Sequence, residues 1–285
     1  MAKPRTPPGR DLIWRLEALG FDLFTLFVRA LGPDLASSLG AAIGKAIGPL
    51  TGAHRTAARN LALAFPEMDE AERAGVLAAQ WDNFGRYIFE FPQADRLTPA
   101  SGRVSVVGGE RLAAVAASGR PAVLISGHFA NIEIMAAVIL EAGLDCDVTY
   151  RAANNPYVDA RIIESRRRYG VRLFAPKGAE GARDLLAALK AGRSVALLND
   201  QRYDGGVATP FFGHEVRTLP AAARLALRFG TIIQPMAVRR TGGARFEVTI
   251  HEPIRVAARR GGEAPALRVW RGRLRPGRRG SRHGT

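Results

Sequence analysis

Beyond Pro92 the sequence alternates short apolar runs with stretches of helical character, and this alternation constrains the fold more than any other feature. Short apolar runs bounded by turn residues are typical of buried strands. When strands alternate with helices, the strands form a parallel or mixed sheet and the helices pack against it. The sequence therefore predicts an α/β fold with a mixed, largely parallel sheet flanked by helices. The expected strands are 104–108, 122–127, 147–151, 171–174, 194–200, 231–240 and 246–252, and the expected helices between them are 132–142, 156–169, 179–191 and 219–229.

The N-terminal region, residues 1–53, is predicted to be a basic segment followed by helices that associate with a membrane. A helix that spans a bilayer needs about 20 mostly uncharged residues, but four charged residues interrupt the apolar stretch between Leu12 and Leu31. An amphipathic helix at the membrane surface is therefore the preferred interpretation, and a marginal transmembrane helix or a helix packed on the core is the alternative. The apolar positions at helical spacing include Leu12, Leu16, Leu19, Leu23, Leu26 and Phe27, and the four charges are Arg15, Glu17, Asp22 and Arg29.

The charge of the chain is distributed unevenly. Of the formal net charge of +15, a net +8 lies in residues 259–285, where nine arginines face one acid, Glu263. We expect this segment to be an irregular Arg/Gly-rich tail, and residues 54–258 to form the α/β domain. The moderately basic body suits anionic lipid headgroups or an acidic carrier protein. Nucleic acid is not an expected partner, because the body shows none of the usual nucleic-acid-binding motifs.

Cysteine usage and motifs bound the chemistry further. Cys146 is the sole cysteine, so no intramolecular disulfide can form. The sequence contains no Cys/His cluster with metal-ligand spacing and no phosphate-binding glycine loop. We therefore expect no metal and no cofactor, and a location that faces the cytoplasm.

The segment around His128 is the strongest candidate for a catalytic site. An apolar strand, residues 122–125, leads through Ser126 and Gly127 to His128, and a helix is expected to open near Asn131. Catalytic residues collect at the carboxyl edge of such sheets. Glu133 falls in the first helical turn, where a carboxylate is favoured and could hydrogen-bond the imidazole. A histidine oriented in this way can accept a proton from an alcohol, although an ordinary hydrogen-bonded pair would explain the residues equally well.

These residues resemble a known family. The motif at 126–133 is similar to the H-x4-D/E motif of the glycerolipid acyltransferase superfamily, and the wider chain resembles the lipid A biosynthesis late acyltransferases of Gram-negative bacteria, which transfer lauroyl or myristoyl groups. The order and spacing of several segments make the resemblance more specific than the motif alone. These segments are NLALAFPEM (60–68), YRAANNP (150–156), ESRRRYG (164–170), NDQRYDGG (199–206), TPFFGHEVRTLPAAARLA (209–226) and QPMAVRR (234–240).

The resemblance implies catalytic roles for His128 and Glu133. It also implies that Arg166 and Asp200 contribute to substrate binding, although a solvated charge and a turn residue would explain them without it. Arg151, which follows an expected strand, is a further candidate for contact with a phosphate or an acidic carrier. Beyond about Ala258 the chain departs from the family pattern, which continues with a helix.

The implied function is acyl transfer from acyl-acyl carrier protein to a hydroxyl of a lipid A precursor, at the cytoplasmic face of the inner membrane. The protein would be peripheral or held by a single N-terminal anchor. One alternative keeps the chemistry and changes the acceptor to a lysophospholipid, an ornithine lipid or a glycolipid. A remote alternative is a non-catalytic basic protein that binds membrane or nucleic acid. Phe211 and Phe212 are interpreted as core packing residues, or else as the lining of an acyl pocket.

Overall fold

The structure of the protein is a computed structural model that describes residues 8–168, 170–171, 175–176 and 179–256. The predicted tail, residues 259–285, and most of the expected strand 171–174 lie outside that range. The helices are α1 (Pro8–Ile47), α2 (Gly52–Ala64), α3 (Glu70–Glu90), α4 (Gly109–Ala117), α5 (Glu133–Glu141), α6 (Pro156–Arg168), α7 (Ala179–Lys190) and α8 (Ala221–Phe229). The strands are β1 (Val104–Val107), β2 (Val123–Ser126), β3 (Cys146–Tyr150), β4 (Ala175–Pro176), β5 (Ser194–Leu198), β6 (Arg202–Phe211), β7 (His214–Thr218), β8 (Ile232–Gly242), β9 (Arg245–Ile250) and β10 (Ile254–Arg255).

The main sheet confirms the predicted fold class. Its strand order is β1-β9-β8-β2-β5-β3-β4, and β10 pairs with β8. Strand β2 lies between β5 and β8 and is parallel to both. Among the described pairs of this sheet, β8–β9 and β8–β10 are antiparallel. The sheet is therefore mixed and largely parallel.

Helices cover both faces of the sheet, as the side chains of β2 illustrate. Val123 and Leu124 are both buried, but they belong to different core clusters. Val123 packs with residues of α7 and α8, and Leu124 packs with residues of α4 and α5. Successive side chains of a strand point to opposite faces, so the continuous apolar runs seen in the sequence are those of strands buried on both sides.

The N-terminal helix α1 packs closely against α3. Gly40 and Gly44 of α1 face Gly85 of α3, and a Cβ at any of the three would overlap the backbone of the opposing helix. Gly32 interrupts α1 with a non-helical backbone (φ 73°, ψ 168°) just before Pro33. The stretch Gly9–Leu50 is long and apolar enough to cross a membrane, judged by length and composition.

The four charges of the N-terminal apolar stretch do not interrupt its exposed face. Three of them bond residues of the body, and the pairs are Glu17 with Asn155, Asp22 with Arg161 and Arg29 with Asp95. Arg15 bonds Asp11 within α1 and lies 4.8 Å from the ring centroid of Tyr157 in α6. The leucines and Phe27 of the predicted apolar face are each more than half exposed. Three of the four charges are thus bonded to the protein body, and an apolar stripe of α1 is directed away from it.

The hairpin of β6 and β7 was not expected from the sequence, and it corrects the interpretation of its two phenylalanines. Phe211 is 60% exposed and Phe212 is 46% exposed, so neither belongs to the core. They lie at the hairpin tip, where Phe212 and Gly213 adopt positive φ angles of 48° and 77°. The ring of Phe212 contacts Phe65, just beyond α2, at a centroid distance of 5.0 Å. The core interpretation failed because the pair caps an independent two-stranded sheet.

Candidate active site

The register of β2 and β5 brings His128 and Asp200 together. Ser126 and Leu198 are paired residues at the ends of these adjacent parallel strands. His128 and Asp200 each lie two residues further along the chain, so they emerge side by side at the carboxyl edge of the sheet. One oxygen of Asp200, Oδ1, lies 2.8 Å from Nδ1 of the His128 ring. The other, Oδ2, accepts the backbone N–H of His128 at 2.7 Å.

This pair fixes which nitrogen of the imidazole can act. A carboxylate can only accept, so the Asp200 contact places the ring proton of neutral His128 on Nδ1. Nε2 is then the acceptor, and the Gln201 side-chain nitrogen lies 3.4 Å from it. The side chains of His128 and Asp200 are 42% and 39% exposed, respectively. The site therefore offers an oriented, accessible proton acceptor to a group that approaches from outside.

Glu133 occupies a different environment from the one expected. The sequence predicts Glu133 against the imidazole, but the structure places Asp200 there. Glu133 is only 4% exposed, and Arg166 of α6 binds its carboxylate through Nε (3.0 Å) and Nη2 (2.5 Å). The reason is that α5 begins at Glu133 itself, and its side chain faces the interior between α5 and the sheet. Bidentate pairs of this kind fix both partners firmly.

Tyr87 of α3 borders the Glu133–Arg166 pair and was missed in the sequence. Burial, and secondly the charge of Glu133, raise the pKa of Tyr87 well above its ordinary value. Arg166 also lies 5.7 Å from the ring centroid of Phe91. The arginine that looks like a solvated charge in the sequence is therefore held between a carboxylate and an aromatic ring.

An apolar cavity lies beside the pair, under the carboxyl edge of the sheet. The space in it that a water-sized sphere can occupy is about 80 Å³. Ser126 and Leu198 line it at the strand ends that precede His128 and Asp200. Glu133 and Arg166 are the charged residues of its wall. The remaining lining residues are mostly aliphatic and come from β2, β3, β5 and α5, with Ile132, Val171 and Met236.

The other sequence candidates lie around this edge of the sheet. Arg151 is exposed directly after β3. Asn131 does not begin the helix, but its side chain accepts the backbone N–H of Glu133 at 3.1 Å, as a capping residue would. Gln201 was not predicted as a site residue, although it lies in the segment 199–206 that carries the family resemblance. Its position directly after Asp200 was the available signal.

The fold and the site together define a class of protein. It is an α/β protein with an accessible histidine–carboxylate pair at the carboxyl ends of two adjacent parallel strands, beside an apolar cavity. Such a pair is suited to activating a hydroxyl group, and such a cavity is suited to an apolar ligand.

Within that class, the chain belongs to the bacterial lipid A biosynthesis acyltransferase family, whose pattern it matches over residues 17–266. It is similar to the lipid A biosynthesis lauroyltransferase of Escherichia coli, with 29% identity over 191 residues, covering 64% of this chain and 60% of the relative. It is also similar to a lipid A biosynthesis acyltransferase of Haemophilus influenzae, with 24% identity over 205 residues, covering 70% of this chain and 63% of the relative. The chain thus spans about three fifths of the length of each relative.

Proposed function

We propose that the protein is an O-acyltransferase that moves a fatty acyl chain from acyl-acyl carrier protein to a hydroxyl group of a lipid A precursor. The observation that carries this proposal is the 2.8 Å contact between His128 Nδ1 and Asp200, which leaves Nε2 as an oriented acceptor. Membership of the family supports the reaction class. The names of the two relatives support lipid A biosynthesis as the setting.

The proposed reaction begins with a proton transfer to His128. Nε2 accepts the proton of the acceptor hydroxyl while the hydroxyl oxygen bonds to the thioester carbonyl carbon. The tetrahedral intermediate then collapses, the carbon–sulfur bond breaks, and the imidazolium returns the proton to the departing thiolate. Asp200 stabilises the imidazolium through Nδ1, as the acid of a catalytic triad does. The atoms balance with the two substrates alone, and the expectation that no cofactor takes part stays a prediction.

The apolar cavity supports a fatty acyl chain as the transferred group. Its lining is mostly aliphatic, as is usual for sites that bind apolar ligands. Each buried methylene contributes about 0.8 kcal/mol, so an aliphatic cavity favours a long chain strongly over a short one. We propose that the chain lies in this cavity with its thioester toward His128.

The Glu133–Arg166 pair gives Glu133 a proposed role that differs from the expected one. Its carboxylate fixes the guanidinium of Arg166 at the cavity wall. We propose that this fixed positive charge binds the polar end of the acyl donor, and that Glu133 serves the reaction through Arg166. Arg151, at the same edge of the sheet, is proposed to contact a phosphate of the acceptor or the acidic surface of the carrier protein.

The proposed location is the cytoplasmic face of the inner membrane. The uncharged stripe of α1 supports it, since an apolar helix face directed away from the protein is typical of proteins that bind a lipid surface. Both substrates suit that place, because the acceptor is a lipid and the donor is carried by a soluble acidic protein.

The test is an assay of the purified protein with acyl-carrier donors of several chain lengths and a lipid A precursor. We expect His128→Ala to abolish nearly all transfer, because no acceptor for the hydroxyl proton remains. His214→Ala, which alters an exposed histidine of the hairpin, is the matched control and should retain activity. Full activity of a folded His128→Ala protein would refute the mechanism.

The acceptor is tested separately, by mass spectrometry of lipid A from a strain that lacks the gene. Loss of one secondary acyl chain supports a lipid A precursor. Unchanged lipid A would indicate another membrane lipid as the acceptor. If deleting residues 259–285 abolished binding while His128→Ala changed nothing, the protein would be a basic binding protein without catalysis.

A further inference from the structure

The loop between β2 and α5, which carries His128, contains a backbone conformation that needs support. Ala130 has a φ angle of 38°. Residues with a Cβ rarely adopt positive φ, because the side chain crowds the following carbonyl oxygen. Such conformations persist when neighbouring groups hold them, and they collect at active sites. The contacts that hold Ala130 therefore influence where His128 and Glu133 point.

Two residues of α3 hold this loop from outside. Asn83 donates through Nδ2 to the carbonyl oxygen of Ala130 at 3.1 Å. Asn131 donates through its own Nδ2 to Oε2 of Glu90 at 3.0 Å, and its Oδ1 accepts the N–H of Glu133. Consecutive residues of the loop are thus bonded to the same face of one helix.

Arg240 of β8 orients both α3 residues. Its Nε donates to Oδ1 of Asn83 at 3.1 Å, which obliges the amide to present Nδ2 to Ala130. Its two terminal nitrogens donate to the two carboxylate oxygens of Glu90. Glu90 is fully buried, and its charge is matched by this bidentate pair. A buried ion pair of this kind is weak evidence for stability but fixes geometry.

We propose that Asn83, Glu90 and Arg240 are positioning residues for the acyl transfer. They hold Ala130 and Asn131 in the conformation that places His128 beside Asp200 at one end of the loop and Glu133 beside Arg166 at the other. The proposal rests on the proposed function, because positioning is measured through turnover. None of the three residues contacts the reacting atoms, so their effect is exerted through the loop.

The decisive experiment is a double-mutant cycle between Asn83 and Ala130. Asn83→Ala removes the bond to the Ala130 carbonyl and leaves the buried Glu90 charge paired with Arg240. We expect kcat to fall about ten- to thirty-fold with KM within about twofold. Ala130→Gly should restore most of that loss in the Asn83→Ala background, because glycine adopts positive φ without the bond. Alone, Ala130→Gly should stay within about twofold of wild type. Asn60→Ala, an exposed asparagine of α2, is the matched control.

Two outcomes overturn the proposal in an active enzyme. One is an Asn83→Ala protein with an unchanged kcat. The other is a loss that Ala130→Gly does not relieve, since general damage to the fold has no reason to respond to that substitution.

Hydrogen–deuterium exchange keeps the test independent of turnover. Asn83→Ala should speed exchange in residues 127–133 and leave β9 unchanged, and equal exchange in both proteins would overturn the proposal. If the wild-type protein transfers no acyl group from any donor, the proposed function fails, and this measurement still decides whether the three residues position the loop.

Discussion

Replacing Asp200 by asparagine tests the assignment of the two carboxylates, because the contact with the imidazole belongs to Asp200. Asp200 accepts the backbone N–H of His128 and faces Nδ1 of the ring at the same time. An asparagine has only one acceptor oxygen, and its NH2 group is a donor. If the oxygen keeps the backbone N–H, the NH2 group meets Nδ1 and forces it to accept. The ring proton then moves to Nε2, and His128 can no longer take a proton from the acceptor.

The expected loss can be sized from the two bonds. The same substitution in a serine-protease triad imposes the wrong tautomer and lowers kcat about 10⁴-fold, so we expect a fall of about 10³–10⁴-fold here. Asp200→Ala removes both bonds but imposes no tautomer. Only the bond to Nδ1 acts on the imidazolium, and a hydrogen bond to a charged group contributes about 1.5–3 kcal/mol, so the expected loss in kcat is about 10–150-fold. The kcat of Asp200→Asn should therefore be lower than the kcat of Asp200→Ala.

The assay is the initial rate of acyl transfer over a range of donor and acceptor concentrations, with thermal melting to verify that each variant folds. KM for both substrates should change little, since the tautomer affects the chemical step. Glu133→Gln should not reproduce this pattern, because Glu133 bonds Arg166. An Asp200→Ala protein less active than Asp200→Asn would refute the tautomer argument.

Three further predictions concern stability and reactivity. Arg166→Ala removes the bidentate ion pair of the buried Glu133 carboxylate and should lower the free energy of unfolding by about 3–5 kcal/mol. Adding Glu133→Gln should restore most of that loss, as measured by chemical denaturation. Gly85→Ala inserts a methyl group against the backbone of α1 and should lower the free energy of unfolding by about 1–3 kcal/mol. Gly75→Ala in the same helix is the control, because its methyl group meets nothing within 4 Å, and it should not lower the melting temperature. Burial raises the pKa of the Cys146 thiol. At pH 8, iodoacetamide should therefore label this thiol in unfolded protein but not in native protein. The contribution of Cys146 to the free energy of unfolding should decline as the pH rises through the ordinary thiol pKa of about 8.5.

The fold was predictable because its signals are local. Strands β2 and β5 are short apolar runs in the sequence. The predicted ends of both strands lie within two residues of the observed ends. Helices α5 to α8 were likewise expected within about two residues at each end. Each of these elements buries an apolar face, and the sequence records that face directly. The hairpin was missed because β6 and β7 are largely exposed and carry no apolar alternation of their own.

The contacts of the site were harder to predict, because they depend on which strands are neighbours. His128 and Glu133 are close in sequence, so their contact was the natural hypothesis. Asp200 is 72 residues from His128, and only the adjacency and register of β2 and β5 bring the two together. Strand order is a property of the whole sheet, and no local spacing encodes it. The sequence therefore supplied the candidate residues, whose roles stay predictions, but not the contacts between them.

The bond between Ser37 and Glu90 has a practical consequence for handling the protein. Ser37 lies in α1 and donates at 2.7 Å to the carboxylate that also receives Asn131. Removing α1 to gain solubility would take a hydrogen-bond donor away from that carboxylate and expose the face of α3 at Gly85. Preparations for crystallisation or inhibitor screening should keep α1 and cover its exposed apolar face with detergent or a lipid nanodisc.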